Sequence, residues 1–340
     1  MKALVTGASG FIGSRLCAHL VRHGIAVAGL VRPESSLWRL GGAGAVRLVQ
    51  GELGDRSALM SAMQGIDVVF HAAALVSDWG RWEDFRATNV DGVENVIEAA
   101  RRAGVRRIVH LSSVSVYGFP GGVQLNEEAA VTTPSRDAYI RSKREGEQLT
   151  GIANGRGIET VIIRPAGVFG PGDCTTTLSL AQALAQGKFA FVDAGRHIMA
   201  PVYVDNLVEL IRLAGECGPA AGQAFNAVDD GVVSWREYIE WFCAELACDP
   251  PRLSLPASLA WQIATGVEAA ARMLRTEHSP IVNRFRLRAV MQDNHYANDK
   301  AKTLLGWTPA IATREGVRRA ALWCRSRLRG GIDEMAVTAS

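Results

Sequence analysis

The stretch Met1 to Gly13 reads MKALVTGASGFIG and constrains the fold more than any other. Lys2 to Thr6 is a short apolar run, long enough for one buried strand. Gly7, Gly10 and Gly13 follow at three-residue spacing. Ser14 to His23 then carries Leu16, Leu20 and Val21 at helical spacing. Strand, glycine turn and helix in that order cradle a phosphate. Gly7 permits the tight turn, Gly10 leaves no side chain between backbone and a pyrophosphate, and Gly13 lets the helix pack close to the strand. The helix's free N–H groups and positive end then face the phosphates. A glycine triplet alone also fits an ordinary βα turn; the strand before it and the helix after it favour a dinucleotide. Ser9, Phe11 and Ile12 share that turn and are expected beside the cofactor.

The second strand, Ile25 to Val31, ends in Arg32. Arg32 lies about twenty residues beyond Gly13, where an acid would bond the ribose 2′-hydroxyl of NAD and an Arg accepts the 2′-phosphate of NADP. NADP(H) is favoured, with NAD(H) as the other possibility; Ser35, Ser36 and Arg39 offer further donors. After a third strand, Val46 to Gln50, Asp55 can accept from an adenine amino group or cap the next helix. The fourth strand, Val68 to Ala72, runs into Ala72, Ala73 and Ala74, small residues that admit a cofactor's backbone contacts. His71 is expected to be an oriented structural histidine. Ser77 to Trp82 is a loop, Glu83 to Ala103 a long helix, Arg107 to Leu111 the fifth strand. Glu127 to Pro134 is a polar connection and Asp137 to Thr150 a helix. Thr160 to Pro165 is the sixth strand. Alternating strands and helices predict an α/β fold, a Rossmann-type doubly wound parallel sheet.

From Thr175 the alternation lapses. A helix (Leu178 to Gln186), a strand (Ala200 to Val204) and a helix capped by Asp205-Asn206 lead to one more strand, Ala224 to Ala227. The remainder reads as helices at Ser234 to Ala247, Pro256 to Arg275, Asn298 to Leu305 and Thr313 to Arg327. The expected division is 1–165 with 200–228 as the NAD(P)-binding domain, 166–199 with 229–329 as a smaller, mainly helical substrate lobe, and 330–340 as a frayed tail.

Tyr139 and Lys143 stand four apart on one helix face. A neighbouring ammonium stabilises a phenolate, so the pair is expected to lower the phenol's pKa from about 10 and make a proton donor or acceptor. A serine at a strand's C-terminal edge can hold a carbonyl oxygen, and a bound nicotinamide would exchange the hydride. Tyr and Lys at this spacing are common on surface helices. The glycine turn and the Ser-Ser strand end upstream give the pair its weight.

At this point the chain resembles the extended short-chain dehydrogenases/reductases, through TGASGFIG, HAAA, LSSVSVYG, YIRSK, RPAGVFGPGD and PVYVDNLV, with a weaker echo at LGWTPAIATREGVRRAALW. The resemblance covers most of the chain. It implies Ser113, five positions before Gly118, as the hydroxyl that orients the substrate oxygen. It implies Tyr139 as general acid/base and Lys143 as the group that lowers its pKa and bonds the nicotinamide ribose. Leu53 and Asp55 would flank the adenine, and Pro165 to Val168 would lie along the nicotinamide. Asn89 falls where the family often has an Asn and is taken as helix-shaping. A nucleotide-sugar branch usually places an Asn in the loop after the sixth strand; here it reads Ala166-Gly167-Val168. Tyr203 within PVYVDN, SDWGRW and the apolar Pro256 to Arg275 look instead like the 3β-hydroxysteroid dehydrogenase and dihydroflavonol reductase branch. Pocket walls are expected from Trp79, Trp82, Val168, Phe169 and the Leu/Ala/Trp face of Pro256 to Arg275.

The resulting reading is an oxidoreductase interconverting a secondary alcohol and a ketone on a largely apolar substrate. A nucleotide-sugar epimerase or dehydratase, and a non-catalytic NADP-binding redox sensor, are the competing readings. Net charge of +3 in 340 residues gives no reason to expect a nucleic-acid partner. Six scattered cysteines form no metal-ligand spacing, so no metal is expected, and they suit reduced thiols in a cytoplasmic protein. Residues 256–275 are a candidate for peripheral membrane contact, with a helix covering the small lobe preferred. The long helices near Glu83 to Ala103 and Asp137 to Thr150 make a homodimer plausible.

Overall fold

A computed structural model describes residues 1–41, 45–129, 131, 135, 137–274, 276 and 278–329. The expected tail 330–340, most of the end of the polar connection and Arg275 lie outside them. Seven strands make the central sheet: β1 (Lys2–Thr6), β2 (Ala26–Val31), β3 (Val46–Gln50), β4 (Val68–His71), β5 (Arg107–Leu111), β6 (Glu159–Pro165) and β7 (Ala224–Ala227). Their spatial order is 7-6-5-4-1-2-3, with every neighbouring pair parallel. Near-continuous apolar runs such as ALV, AVAGLV and VVF fit strands covered on both faces. The helices doing so include α1 (Phe11–Arg22), α2 (Arg56–Ala62), α4 (Gly92–Arg102) and α5 (Ala138–Ala153), with α3 (Trp82–Arg86) leading into α4. Alternation along each strand sorts the core. Ala3, Val5, Phe70 and Val109 meet Leu16, Cys17 and Leu20 of α1 on one face. Leu4, Val69 and Ile108 meet Leu59 of α2 and Val93, Val96 and Ala100 of α4 on the other.

The second half contributes α6 (Thr177–Ala185), α7 (Val204–Glu216), α8 (Trp235–Leu246), α9 (Ala257–Met273), α10 (Arg284–Val290), α11 (Asp299–Leu305) and α12 (Thr313–Arg329). Leu184 of α6, Phe242 of α8 and Val317 of α12 share one core of the substrate side.

Four expectations change. The helix from Glu83 to Ala103 is α3 and α4 joined through a π-helical turn, Ala87–Asp91. Asp205-Asn206 is not the cap of α7: the strand Pro201–Tyr203 runs straight into the helix at Val204, so both residues fall inside its first turn. Asp205 instead pairs with Arg15 at 2.6 Å, and buried Asn206 bonds Asp229 at 2.8 Å. The short helix α10 and the strand Asn294–Tyr296, which pairs in parallel with Gly122–Leu125, lie where neither was expected. Finally, 229–329 is not all substrate lobe. Ala301 and Leu305 of α11 and Trp307 bury in the same core as α1 and α7, with the Trp307 indole N–H on the Asn206 carbonyl at 3.0 Å.

Candidate active site

The order of the strands reverses between β1 and β4, and a crevice opens there beyond the strands' C-terminal ends. The glycine turn stands at that point. Gly7 adopts φ +66°, and a Cβ there would lie 2.8 Å from the Ala73 Cα. A Cβ on Gly13 would lie 2.1 Å from the Gly7 carbonyl oxygen. Turn, helix start and the Ala72–Ala74 stretch are thus drawn together at backbone distance, which no larger residue allows. Gly10 is exposed and caps α1 without any side-chain bond, leaving its first N–H groups available to an anion. Ser9, Phe11 and Ile12 are half-buried around it. The residues present therefore fit a dinucleotide's pyrophosphate.

Around this cradle the expected contacts fall in different places. Arg32 is half-exposed at the tip of β2, with its Nε 3.0 Å from Glu34. Arg39 donates to the Gly172 carbonyl at 3.0 Å, bridging the second strand's loop to the loop after β6. One Asp55 oxygen accepts from the Ser57 and Ala58 N–H groups at 3.0 Å each, so Asp55 is the N-cap of α2. Leu53 packs on Gly92. Pro165 ends β6, and Val168 sits in a short strand, Gly167–Phe169, paired with Pro201–Tyr203.

Ser113 follows β5 and caps a single 3₁₀ turn, Val114–Tyr117, its Oγ accepting from the Ser115 N–H at 3.1 Å. The turn aims Ser113 towards α5, where its half-buried hydroxyl neighbours Tyr139. Asp137 caps α5 on the Ile140 N–H. Tyr139 and Lys143 are both buried, and the Lys143 Nζ donates to the Leu111 carbonyl at 2.6 Å. The π-turn carries Asn89 inward: it accepts from the Leu75 N–H at 2.8 Å and donates to the Leu75 carbonyl and the Ser142 hydroxyl, both at 2.9 Å. One side chain thereby ties the segment after β4 to α5, consistent with a helix-shaping role and with the frequent use of π-turns at functional sites.

The electrostatics overturn one expectation. Burial pushes the Tyr139 phenol up to about 12, with the Ser113 hydrogen bond pulling the other way and Asp137 adding to the rise. It is not lowered by Lys143, whose ammonium is directed to the Leu111 carbonyl. Burial brings Lys143 itself down to about 8, against an upward pull from Glu147.

Beneath the pair runs a polar row that the sequence reading saw only in part. Thr6, His71 and His110 are register partners on β1, β4 and β5. The Thr6 hydroxyl accepts from the Ala73 N–H at 3.2 Å and shares a hydrogen bond with His71 Nδ1 at 2.7 Å, which fixes the orientation of the His71 ring. The rings of His71 and His110 lie 5.3 Å apart. Among the described residues His71 Nε2 and both His110 nitrogens have no partner. Burial, then the Lys143 charge, holds His71 neutral with a pKa near 3 and His110 well below its usual range. His110 carries no motif of its own; only its register opposite His71 reveals it.

The aromatic walls also differ from expectation. Tyr139 is flanked edge-on by Phe85 of α3 at 6.3 Å and Phe285 of α10 at 6.1 Å, and Phe285 in turn meets Phe119 at 5.4 Å. Trp79 stands at the rim, its indole N–H on the Thr276 carbonyl at 3.0 Å. Phe169 does not face the site: it is buried between Tyr203 and Tyr238 in the core of the substrate side. Trp82 stacks on Arg141, two residues and so about 200° around α5 from Tyr139, and lies on that helix's outer side.

Comparison with known proteins agrees with this geometry. The model of the NAD dependent epimerase/dehydratase family matches residues 3–227. The chain is 32% identical to 3beta-hydroxysteroid-dehydrogenase/decarboxylase isoform 1 of Arabidopsis thaliana, over 93% of this chain and 78% of the relative. It is 31% identical to the 4-hydroxy-2-methyl-3-oxo-4-farnesyl-3,4-dihydroquinoline-1-oxide ketoreductase of Stigmatella aurantiaca, over 93% and 95%. The crystal structure of gox2253 superposes with a TM-score of 0.80 at 29% identity, over 96% of this chain and 98% of that one. A glycine cradle at the switch point, a serine–tyrosine–lysine group beside it and these likenesses lead to one conclusion: the chain belongs to the NAD dependent epimerase/dehydratase family and is an NAD(P)-dependent oxidoreductase of the extended short-chain dehydrogenase/reductase type.

Proposed function

We propose that this enzyme interconverts a ketone and a secondary alcohol on a largely apolar substrate, with NADP(H) preferred. The observation that carries the reading is the placing of the half-buried Ser113 hydroxyl beside the buried Tyr139 phenol, one helical turn from Lys143 and bordered by aromatic rings. NAD(P)H, when bound at the glycine turn, supplies the hydride. Lys143, Ala72–Ala74, Pro165 and Val168 are the residues that would border its nicotinamide end. Ser113 holds the substrate carbonyl oxygen. Tyr139, a neutral phenol at neutral pH, donates its proton to that oxygen as charge develops there. Lys143, held by the Leu111 carbonyl one helical turn from the phenol, would bond the nicotinamide ribose.

Phe285, Phe119 and Trp79 border a site for an apolar ligand fixed by few polar groups. A nucleotide sugar would need donors or cations for a diphosphate, and the loop Ala166-Gly167-Val168 offers no such side chain. The names of the Arabidopsis and Stigmatella relatives, a hydroxysteroid dehydrogenase and a ketoreductase of a farnesylated ring, support the same class.

A substrate screen read at 340 nm, the absorbance of reduced nicotinamide, tests the proposal. NADPH oxidation with a hydrophobic ketone or 3-oxoacyl compound, or NADP⁺ reduction with a 3β-hydroxysteroid, is expected, and UDP- and dTDP-sugars should be inert. Micromolar UDP binding to the cofactor-loaded protein would overturn the substrate class. For the cofactor, Arg32→Asp should weaken NADPH relative to NADH, because it replaces a cation with a repelling carboxylate. An unchanged ratio of dissociation constants removes Arg32 from the site.

A further inference from the structure

Helix α9 carries an apolar stripe along the flank of its buried face. Ala260, Ala264, Glu268 and Ala271 face the protein. Leu259, Ile263 and Val267, spaced by four and so aligned in one stripe, face solvent. The stripe continues at the helix end into Met273 and Leu274, 86% and 75% exposed, and Ile281, 87% exposed, stands with Val282 just before α10. Single exposed apolar side chains are ordinary, whereas an aligned and extended set marks an interaction surface.

The charges around the stripe indicate what covers it. The only acid on α9 is Glu268, which faces inward and takes both the backbone N–H and the guanidinium of Arg284. Arg286 pairs with Asp78. Arg272 lies over Trp79 at 5.2 Å and Arg288 over Trp261 at 5.7 Å, and neither has an ion-pair partner among the described residues. Among the described residues no acid stands on this apolar stripe and Arg272 and Arg288 stand at its margin, which matches an anionic lipid surface: acyl chains take the stripe, headgroups the guanidinium groups. No helix among the described residues is long and apolar enough to cross a membrane, so the contact is in the plane.

We propose that this face docks on an anionic bilayer, with α9 lying along it. The patch adjoins the mouth of the candidate site. Trp79 bonds the Thr276 carbonyl just beyond α9, Asp78 accepts from Asn283, and Phe285 of α10 touches Tyr139. Resting on the function proposed above, docking would present the site's mouth to an apolar ketone dissolved in lipid.

The test uses the full chain and two kinds of vesicle, phosphatidylcholine with phosphatidylglycerol and phosphatidylcholine alone. Co-sedimentation is expected with the first, weakening as salt rises. The double variant Ile263→Glu/Val267→Glu should lose roughly ten-fold or more of that binding, while keeping its melting temperature and its turnover of a water-soluble ketone. Trp261 is unsuitable as a probe, because it packs with Ala260, Ala264 and Leu287. No binding to either vesicle, equal binding by the double variant, or binding indifferent to salt in the wild type overturns the proposal. So does a wild-type dimer that the double variant converts to a monomer, which would make a second copy the occupant. Vesicle binding needs no turnover, so its failure leaves the reductase reading standing, and an inert substrate screen leaves the docking result readable.

Discussion

Helices α5 and α9 are nearly equal in length, 16 and 17 residues, and they bury opposite kinds of side chain. α5 turns Tyr139, Ser142, Lys143 and Thr150 inward. α9 turns alanines and one glutamate inward and leaves Leu259, Ile263 and Val267 outside. The neighbour decides in each case. α5 lies against the end of β5 and the π-turn between α3 and α4, which offer acceptors and donors: the Leu111 carbonyl for Lys143 and Asn89 for Ser142. It comes so close that a Cβ on Gly146 would stand 2.5 Å from the Asn89 carbonyl oxygen. α9 lies on α10 and the Leu255 segment, where small side chains fit the seam and a partnered glutamate is tolerated. Polar side chains inside α5 are what the proposed chemistry needs, and apolar side chains outside α9 are what the proposed docking needs.

The sharpest way to break this contrast is at Tyr139. Tyr139→Phe keeps the ring and removes the proton donor, so turnover should fall roughly 10²–10⁴-fold with cofactor affinity nearly unchanged. Turnover within a few-fold of wild type would mean that α5 buries its tyrosine for packing alone.

Lys143 gives a pH signature. Its folded pKa is depressed to about 8 by burial, against about 10.4 in an unfolded chain. Below pH 8 both states hold the proton. Between those values the unfolded state holds more protons than the folded one, so stability rises with pH through that window. The gain is about 1–3 kcal/mol. Urea melts of wild type and Lys143→Met from pH 7 to about 10.5 should show that rise in the wild type only; parallel curves would mean that Lys143 reaches water.

The smallest effects belong to α9. Ala264 is fully buried, so Ala264→Leu should overpack the α9–α10 seam and cost about 1–3 kcal/mol. The neighbouring Ile263→Gln should change stability by less than about 0.5 kcal/mol, despite removing a large apolar side chain. Reversed magnitudes in thermal or denaturant melts would put the stripe inside and erase the contrast with α5.

The sequence alone determined the short-range features. The Gly7-Gly10-Gly13 turn, the apolar strands on either side of it and the alignment of Tyr139 with Lys143 depend on backbone sterics and on periods of 2 and 3.6 residues, which neighbours in sequence set by themselves. The tertiary structure decided everything that depends on what a side chain meets. It raised Tyr139 rather than lowering it, because the depth of burial and the direction of the Lys143 ammonium come from β5, whose residues lie some thirty positions upstream. It joined Thr6, His71 and His110 in one row through strand register, though the first two are 65 residues apart. It put Phe285 against Tyr139 and withdrew Phe169 into a core. It also turned the stripe of α9 outward. An amphipathic pattern fixes which residues share a face, but only the packing partner, brought close by chain far away in sequence, fixes which face is inside.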